Sequence, residues 1–386
     1  AGLLELEKLP FFALSAAASA ITFVFQRHTL SVVSLNDLPI ATRLANVLVS
    51  YASYVGVMVW PSKLAAHYPF QVEGYSPTSI ALSGALLACI SITAFVLHRR
   101  APYVIMGWLW FVGTLVPVVG FVQIGTQRMA DRYSYLPSIG LFIMVAWSVS
   151  RLFGARARNV TSAAGALTIL VCVPLTIVQI GYWKNSETLW TRVLSLDAHN
   201  EIGLLNLGSI YMEQGRYEDA IPCFDGAARI NPSSENAFSH LGLCYQRLAR
   251  FDQAVANYRH SLRLNRESVS TLVNIALCLM AKGQDAEAVG HLQEAVRIDG
   301  NATDAIAALG VALTKIGDAP KAAEMLRTAI SRNPNDAILH NVLGIALMAA
   351  GDQAGATEQF QEALRILPAF RDARINLEIL SRQTQR

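Results

Sequence analysis

The chain has 386 residues, 53% of them hydrophobic and only 15% charged, with a mean hydropathy of +0.35. That charge fraction is low against the roughly 25% of soluble domains and favours a membrane class. The net charge is +3, with no basic face of the kind a nucleic-acid partner needs. The charge is unevenly divided: residues 1–181 carry eleven basic and five acidic side chains, and residues 182–386 carry twenty and twenty-three.

No basic n-region, short apolar core and cleavage site precede the first apolar stretch, so Ala1 reads as an internal residue of a longer protein. Six apolar stretches follow in order: Leu9–Phe25, Leu44–Trp60, Ser79–Leu97, Val104–Val122, Leu136–Phe153 and Val160–Ile180. Most meet the roughly 17–25 residues a spanning helix requires. The second is diluted by Asn46, Ser50, Ser53 and Gly56, and also fits a buried or re-entrant helix. Lys and Arg concentrate in alternate short loops, at Arg27 and Arg43, at Arg99-Arg100, and at Arg151, Arg156 and Arg158. Those loops are expected on the cytoplasmic side. Loops 61–78 and 123–135, and everything after the sixth stretch, then fall on the opposite side: periplasm in a bacterium, secretory lumen in a eukaryote.

Two of these opposite-side stretches stand out. Trp60–Pro69 reads as an interfacial aromatic belt with prolines ending a helix. Arg128-Met129-Ala130-Asp131-Arg132-Tyr133-Ser134-Tyr135-Leu136-Pro137 sets two guanidiniums, a carboxylate and two phenols at the mouth of the fifth stretch. Two accounts fit this cluster. Arg128, Asp131, Arg132, Tyr133 and Tyr135 could form a rim for a lipid-linked phosphate, since guanidinium forks match phosphate oxygens. Alternatively Arg132 pairs with Asp131 and the tyrosines anchor the helix.

From residue 182 the pattern changes. Leu207, Leu241, Ile275, Leu309 and Leu343 recur every 34 residues, each followed by Gly208, Gly242, Ala276, Gly310 or Gly344. Ala220, Ala254, Ala288, Ala322 and Ala356 form a further series, and Phe224, Tyr258, Leu292, Leu326 and Phe360 another. This is the tetratricopeptide period, with small residues where two antiparallel helices touch and larger ones between repeats. It predicts repeats at 201–234, 235–268, 269–302, 303–336 and 337–370, with a closing helix at 371–380. Asn185–Leu196 reads as a lone second helix upstream, docked through Trp183 and Trp190. Gly215, Gly283, Gly317 and Gly351 mark the helix–helix turns, with Ala249 standing in once. Asn206, His240 and Asn274 share one register on the first helices, continuing as Ala308 and Val342. Such a ladder can hydrogen-bond a peptide backbone in the groove; solvated polar positions are the competing reading. Met280, Met325 and Met348 read as core filler.

The fold class expected is therefore all-α, a polytopic transmembrane helix bundle (1–181) followed by a tetratricopeptide α-solenoid (182–386). Cys89, Cys172, Cys223, Cys244 and Cys278 show neither a CxxC pair nor a histidine at metal-ligand spacing, so no metal site is expected.

Three segments carry a resemblance: Glu7-Lys8-Leu9-Pro10-Phe11-Phe12-Ala13-Leu14-Ser15, the Trp60–Pro69 run, and Ala130–Pro137. Together with the repeats they resemble the C-terminal part of bacterial proteins related to the transmembrane and tetratricopeptide repeat-containing O-mannosyltransferases, of the GT-C superfamily. The resemblance implies a polyprenyl-phosphate-linked sugar donor, with no other cofactor evident, and a protein or peptide acceptor in the repeat groove. It also implies a multi-pass protein of the bacterial inner membrane with its array in the periplasm. GT-C enzymes carry their catalytic acids in the first non-cytoplasmic loop, near the N-terminus of the full protein. Glu73 and Asp131 stand isolated here, so the chain reads as the later helices and repeats of such an enzyme, without its catalytic acids. The competing function is a membrane-anchored scaffold for envelope assembly or secretion, without chemistry.

Overall fold

A computed structural model of the chain describes residues 39–70, 74–120, 127–153 and 158–384. The first apolar stretch, Leu9–Phe25, lies outside the described residues. The chain divides into two compact units, residues 1–203 and 204–386.

In the first unit, α1 (Ile40–Val59) is followed by the two-residue strand β1 (Tyr68–Pro69), α2 (Pro77–Leu97) and α3 (Pro102–Leu115). Then come β2 (Gln127–Met129), a 3-10 turn (Asp131–Ser134), α4 (Tyr135–Phe153), α5 (Arg158–Tyr182) and α6 (Ser186–Leu196). Among the described residues, three helices are long and apolar enough to cross a membrane: Pro77–Leu97, Asp131–Leu152 and Ser162–Tyr182. On α2 only Ser83 and Ala94 are buried, while Leu82, Ile92 and Phe95 are exposed. An apolar helix left uncovered on nearly every side needs an apolar solvent.

α1 has the reverse polarity. It buries Arg43, Asn46, Ser50, Tyr51 and Tyr54 and exposes Ile40, Leu44 and Val59. The stretch Val104–Val122, expected to span, forms a shorter apolar helix in its described residues. Its helix stops at Leu115 after 14 residues, roughly 21 Å at 1.5 Å per residue, short of the ~30 Å of hydrocarbon. Pro117 has no N–H to continue the helical ladder, although Val116 itself keeps a helical backbone at φ −46° and ψ −47°. α3 and α4 approach closely at Gly107 and Gly140, where a Cβ on either would run into the other's carbonyl oxygen.

The second unit, completed by the last residues of the first, is a run of helix pairs. These are α7 (Glu201–Glu213) with α8 (Tyr217–Ile230), α9 (Glu235–Arg247) with α10 (Phe251–Leu264), and α11 (Val269–Ala281) with α12 (Asp285–Ile298). α13 (Thr303–Lys315) with α14 (Ala319–Arg332), α15 (Ala337–Ala349) with α16 (Gln353–Ile366), and the closing α17 (Arg371–Thr384) complete it. The 34-residue period is a packing rule. Phe224, Tyr258, Leu292, Leu326 and Phe360 are fully buried, and the first helix of the same pair must leave room for each. A Cβ at Gly208 would stand 2.8 Å from the Phe224 ring, and one at Gly310 2.9 Å from Leu326. Repeat three has Ala276 opposite Leu292, both buried, so the smaller core residue coincides with the larger partner. The turns need left-handed backbone. Gly215, Gly283, Gly317 and Gly351 supply it at φ 76 to 89°, and Ala249 adopts it at φ 57°. Met280, Met325 and Met348 pack against the core.

Candidate functional site

Asp131 organises the rim of the first unit. Its Oδ1 lies 2.9 Å from the Tyr68 hydroxyl, and its Oδ2 accepts the Ala65 N–H at 3.2 Å. The Tyr68 oxygen also accepts that N–H at 3.0 Å and sits 3.0 Å from the Lys63 carbonyl. Burial, with the Asp131 carboxylate beside it, pushes the Tyr68 phenol well above its usual range. β1 and β2 pair antiparallel, Tyr68 opposite Met129. Residues 61–69 thus form a strap lashed to 127–134. The expected pairing of Arg132 with Asp131 does not form, because Tyr68 and Ala65 already take the carboxylate.

α1 holds the same rim from the other side. The Tyr54 hydroxyl bridges both backbone groups of Ala130, accepting its N–H at 3.1 Å and donating to its carbonyl at 3.2 Å. Asn46 Oδ1 accepts from Tyr75 at 2.7 Å and from Ser50 at 3.4 Å. Its Nδ2 is buried with no hydrogen-bond partner among the described residues, although such donors are nearly always satisfied. Burial pushes the Tyr75 phenol up, with Arg128 opposing.

The two rim guanidiniums differ in setting. Arg128 is half-buried, 3.4 Å from Ser53 Oγ and 5.8 Å over the Tyr68 ring. Arg132 is exposed and lies 4.9 Å over the Tyr133 ring, its Nη2 3.5 Å from that hydroxyl. Neither is paired with a carboxylate among the described residues. Tyr133 packs against the core of this unit, whereas Tyr135 is 74% exposed and touches none of the others. The structure therefore brings Arg128, Asp131, Arg132 and Tyr133 to one rim, and leaves Tyr135 pointing out at the start of α4. Sequence reading missed Tyr68, Ala65, Tyr75, Asn46 and Ser53. The Trp60–Pro69 run was the one signal for Tyr68, but a tyrosine at an interface needs no carboxylate partner.

The segment after α5 is held in an unexpected way too. Trp183 is 57% exposed. Arg192 on α6 does the holding, donating to the Ser62 carbonyl at 2.8 Å and lying 4.6 Å over the Tyr182 ring. Asn200 adds a contact to His67 at 3.2 Å.

In the array, Asn206 and Asn274 are half-buried. His240 bonds the Asn236 carbonyl through Nδ1 at 2.7 Å and stacks on Phe224, centroids 4.9 Å apart. Asn274 lines a groove of about 420 Å³ with Val269, Ser270, Val273, Thr303 and Asp304. Three residues beyond the Asn206 register, on the same helical face, Leu243, Leu277, Val311, Ile345 and Ile379 recur every 34 residues. Leu277 is 40% and Ile379 44% exposed, and the other three are half-buried. The asparagine register returns at Asn376, which donates to Asn341 Oδ1 at 3.0 Å.

Comparison with known proteins bears on both units. A tetratricopeptide repeat model matches residues 201–267, and a second matches 239–303 and 307–369. Protein O-mannosyl-transferase Tmtc2 of Drosophila melanogaster is 32% identical over 117 residues, 30% of this chain and 12% of that protein. Protein O-mannosyl-transferase TMTC1 of Mus musculus is 25% identical over 176 residues, 44% of this chain and 18% of that protein. The chain thus spans less than a fifth of the length of either relative. Among solved structures, YrrB, a TPR protein with an unusual peptide-binding site, is 21% identical, with 48% of this chain and 95% of that one covered at a TM-score of 0.40. PilW, a type IV pilus biogenesis factor, is 20% identical, with 48% and 92% covered at 0.41. The chain carries a tetratricopeptide repeat array, of a kind associated with protein–protein interaction, and is weakly similar over part of its length to protein O-mannosyl-transferases.

Proposed function

We propose that this chain is the later part of a membrane protein glycosyltransferase. It would move a sugar, mannose by similarity, from a polyprenyl-phosphate donor onto a protein, with the array holding the acceptor or a partner polypeptide. The observation that carries this reading is the pair of guanidiniums, Arg128 and Arg132, with no carboxylate partner among the described residues, on a rim braced by Asp131, Tyr68 and Tyr54. The orphaned Asn46 Nδ2 adds a buried donor on the same side. Positive forks at the end of an apolar helix suit a phosphate whose lipid tail lies alongside. A polypeptide held in the array is kept at high effective concentration near the transfer site. The same reading sets the spans in a bacterial inner membrane with the array on the periplasmic side. The donor is the only further group implied.

Asp131, the one rim carboxylate among the described residues, is engaged by two donors and is not a free base. The same fact favours the second reading, a membrane-anchored scaffold whose array recruits partners without chemistry.

The test uses the full-length protein, with Arg128→Ala and Arg132→Ala assayed for sugar transfer from a polyprenyl-phosphate donor. Losing a charge-assisted hydrogen bond costs about 1.5–3 kcal/mol. The KM for donor should therefore rise roughly 10- to 100-fold in each variant. Unchanged donor KM with intact acceptor binding by the array would leave the scaffold as the function.

A further inference from the structure

The strap has a second attachment, on the side away from Asp131, and its chemistry depends on one proton. Asn200 is fully buried and its Oδ1 accepts the Gly203 N–H at 2.9 Å, capping the start of α7. That bond fixes the amide, because turning it over would set two N–H groups against each other. Asn200 Nδ2 is therefore the group that faces His67 Nδ1 at 3.2 Å. A donor there requires Nδ1 to be the unprotonated, accepting nitrogen. A protonated imidazole would bring a second donor to a buried amide that cannot turn. We propose that His67 and Asn200 form a proton-operated latch, closed while His67 is neutral and opened by its protonation, between the strap 61–69 and the segment 186–203.

Asp197, at the end of α6, favours the imidazolium. Arg192 on α6 reaches the same strap at Ser62, with its Nε buried and unpartnered among the described residues. On the strap itself Lys63 is exposed, and Asp131 is engaged by Ala65 and Tyr68. Burial is the largest influence and holds His67 below the usual histidine range. The latched state therefore binds fewer protons than the open one. Its closure is fully present above the open-state value of about 6.5 and is lost as the pH falls below that, until the depressed latched value is passed. Each unit of depression weakens closure by about tenfold over that window. The latch stands on this geometry alone, whichever function the rim serves.

The experiment is hydrogen–deuterium exchange on the full chain in lipid nanodiscs at about pH 7.5 and about pH 5, corrected for intrinsic exchange, with helicity checked by circular dichroism. In the wild type, peptides covering 61–69 and 186–203 should lose protection at the lower pH without loss of helix. His67→Asn puts a carbonyl oxygen where Nδ1 stood and should keep the latch closed at both. Asn200→Asp keeps the cap on Gly203 but turns the facing group into an acceptor for the imidazolium, so protection should rise on acidification. Protection in the wild type that does not respond to pH overturns the proposal. So does an acid response in His67→Asn equal to the wild type, or one in Asn200→Asp of unchanged sign.

Discussion

The Tyr68–Asp131 contact sets the strap on the rim, and its contribution can be worked from its geometry. Tyr68→Phe removes one hydroxyl and nothing else. The Asp131 carboxylate then loses a donor at 2.9 Å and keeps only the Ala65 N–H at 3.2 Å, while that N–H loses its shorter acceptor. A hydrogen bond to a charged group contributes about 1.5–3 kcal/mol. Tyr68 is half-buried, so the lower half of that range applies and strap opening should become roughly 10- to 40-fold more frequent. Asp131→Asn keeps an acceptor for Tyr68 but removes the charge assistance, and should cost about 1 kcal/mol. In the Tyr68→Phe background the same change should cost less, since only the Ala65 N–H still meets the carboxylate. The assay is hydrogen exchange at Ala65 in the four proteins of the cycle. Wild-type exchange in Tyr68→Phe, or full additivity of the two changes, would refute the claim that this pair carries the strap.

Two further outcomes concern the array. Gly344→Ala should destabilise α15 and α16 by about 1–3 kcal/mol through overpacking, because its Cβ would press on the buried Phe360 ring. Adding Phe360→Leu should recover most of the loss by recreating the Ala276–Leu292 pairing of repeat three, read as local opening by native-state exchange. Ala249→Gly relieves a left-handed alanine at φ 57°. It should stabilise the α9–α10 turn by roughly 1 kcal/mol, and an unchanged or lower transition midpoint would count against strain at that turn.

The helical repeat architecture was legible because its packing rule is written into every period. A Gly or Ala facing each large buried side chain, and a Gly or strained Ala at each turn, are local choices that agree with one another. The rim was legible only as composition. Its partners lie far apart in the chain, Tyr68 sixty-three residues from Asp131 and Asn46 twenty-nine from Tyr75. A lone polar residue in an apolar run carries no periodicity that names its partner. α3 is shorter than its composition suggests for a related reason: the apolar run continues past Leu115, where the helix ends.

The polarity of the first unit explains why the rim lies where it does. α1 turns Arg43, Asn46, Ser50, Tyr51 and Tyr54 inward, while α2 and α5 present apolar side chains outward along most of their length. Polar groups that face hydrocarbon are expensive, so they collect where other helices can satisfy them. Here Tyr51 reaches the Val112 carbonyl at 2.8 Å and Trp108 reaches Ser91 at 3.0 Å, each bond closing a polar group inside the bundle. The row continues along α1 through Ser50 and Ser53 to Arg128 and through Tyr54 to Ala130. It ends at the guanidiniums, where no side chain of opposite charge meets it among the described residues. Under the proposed function, that cationic end is where the donor phosphate would be received. The strap is tied to Asp131 and to Asn200.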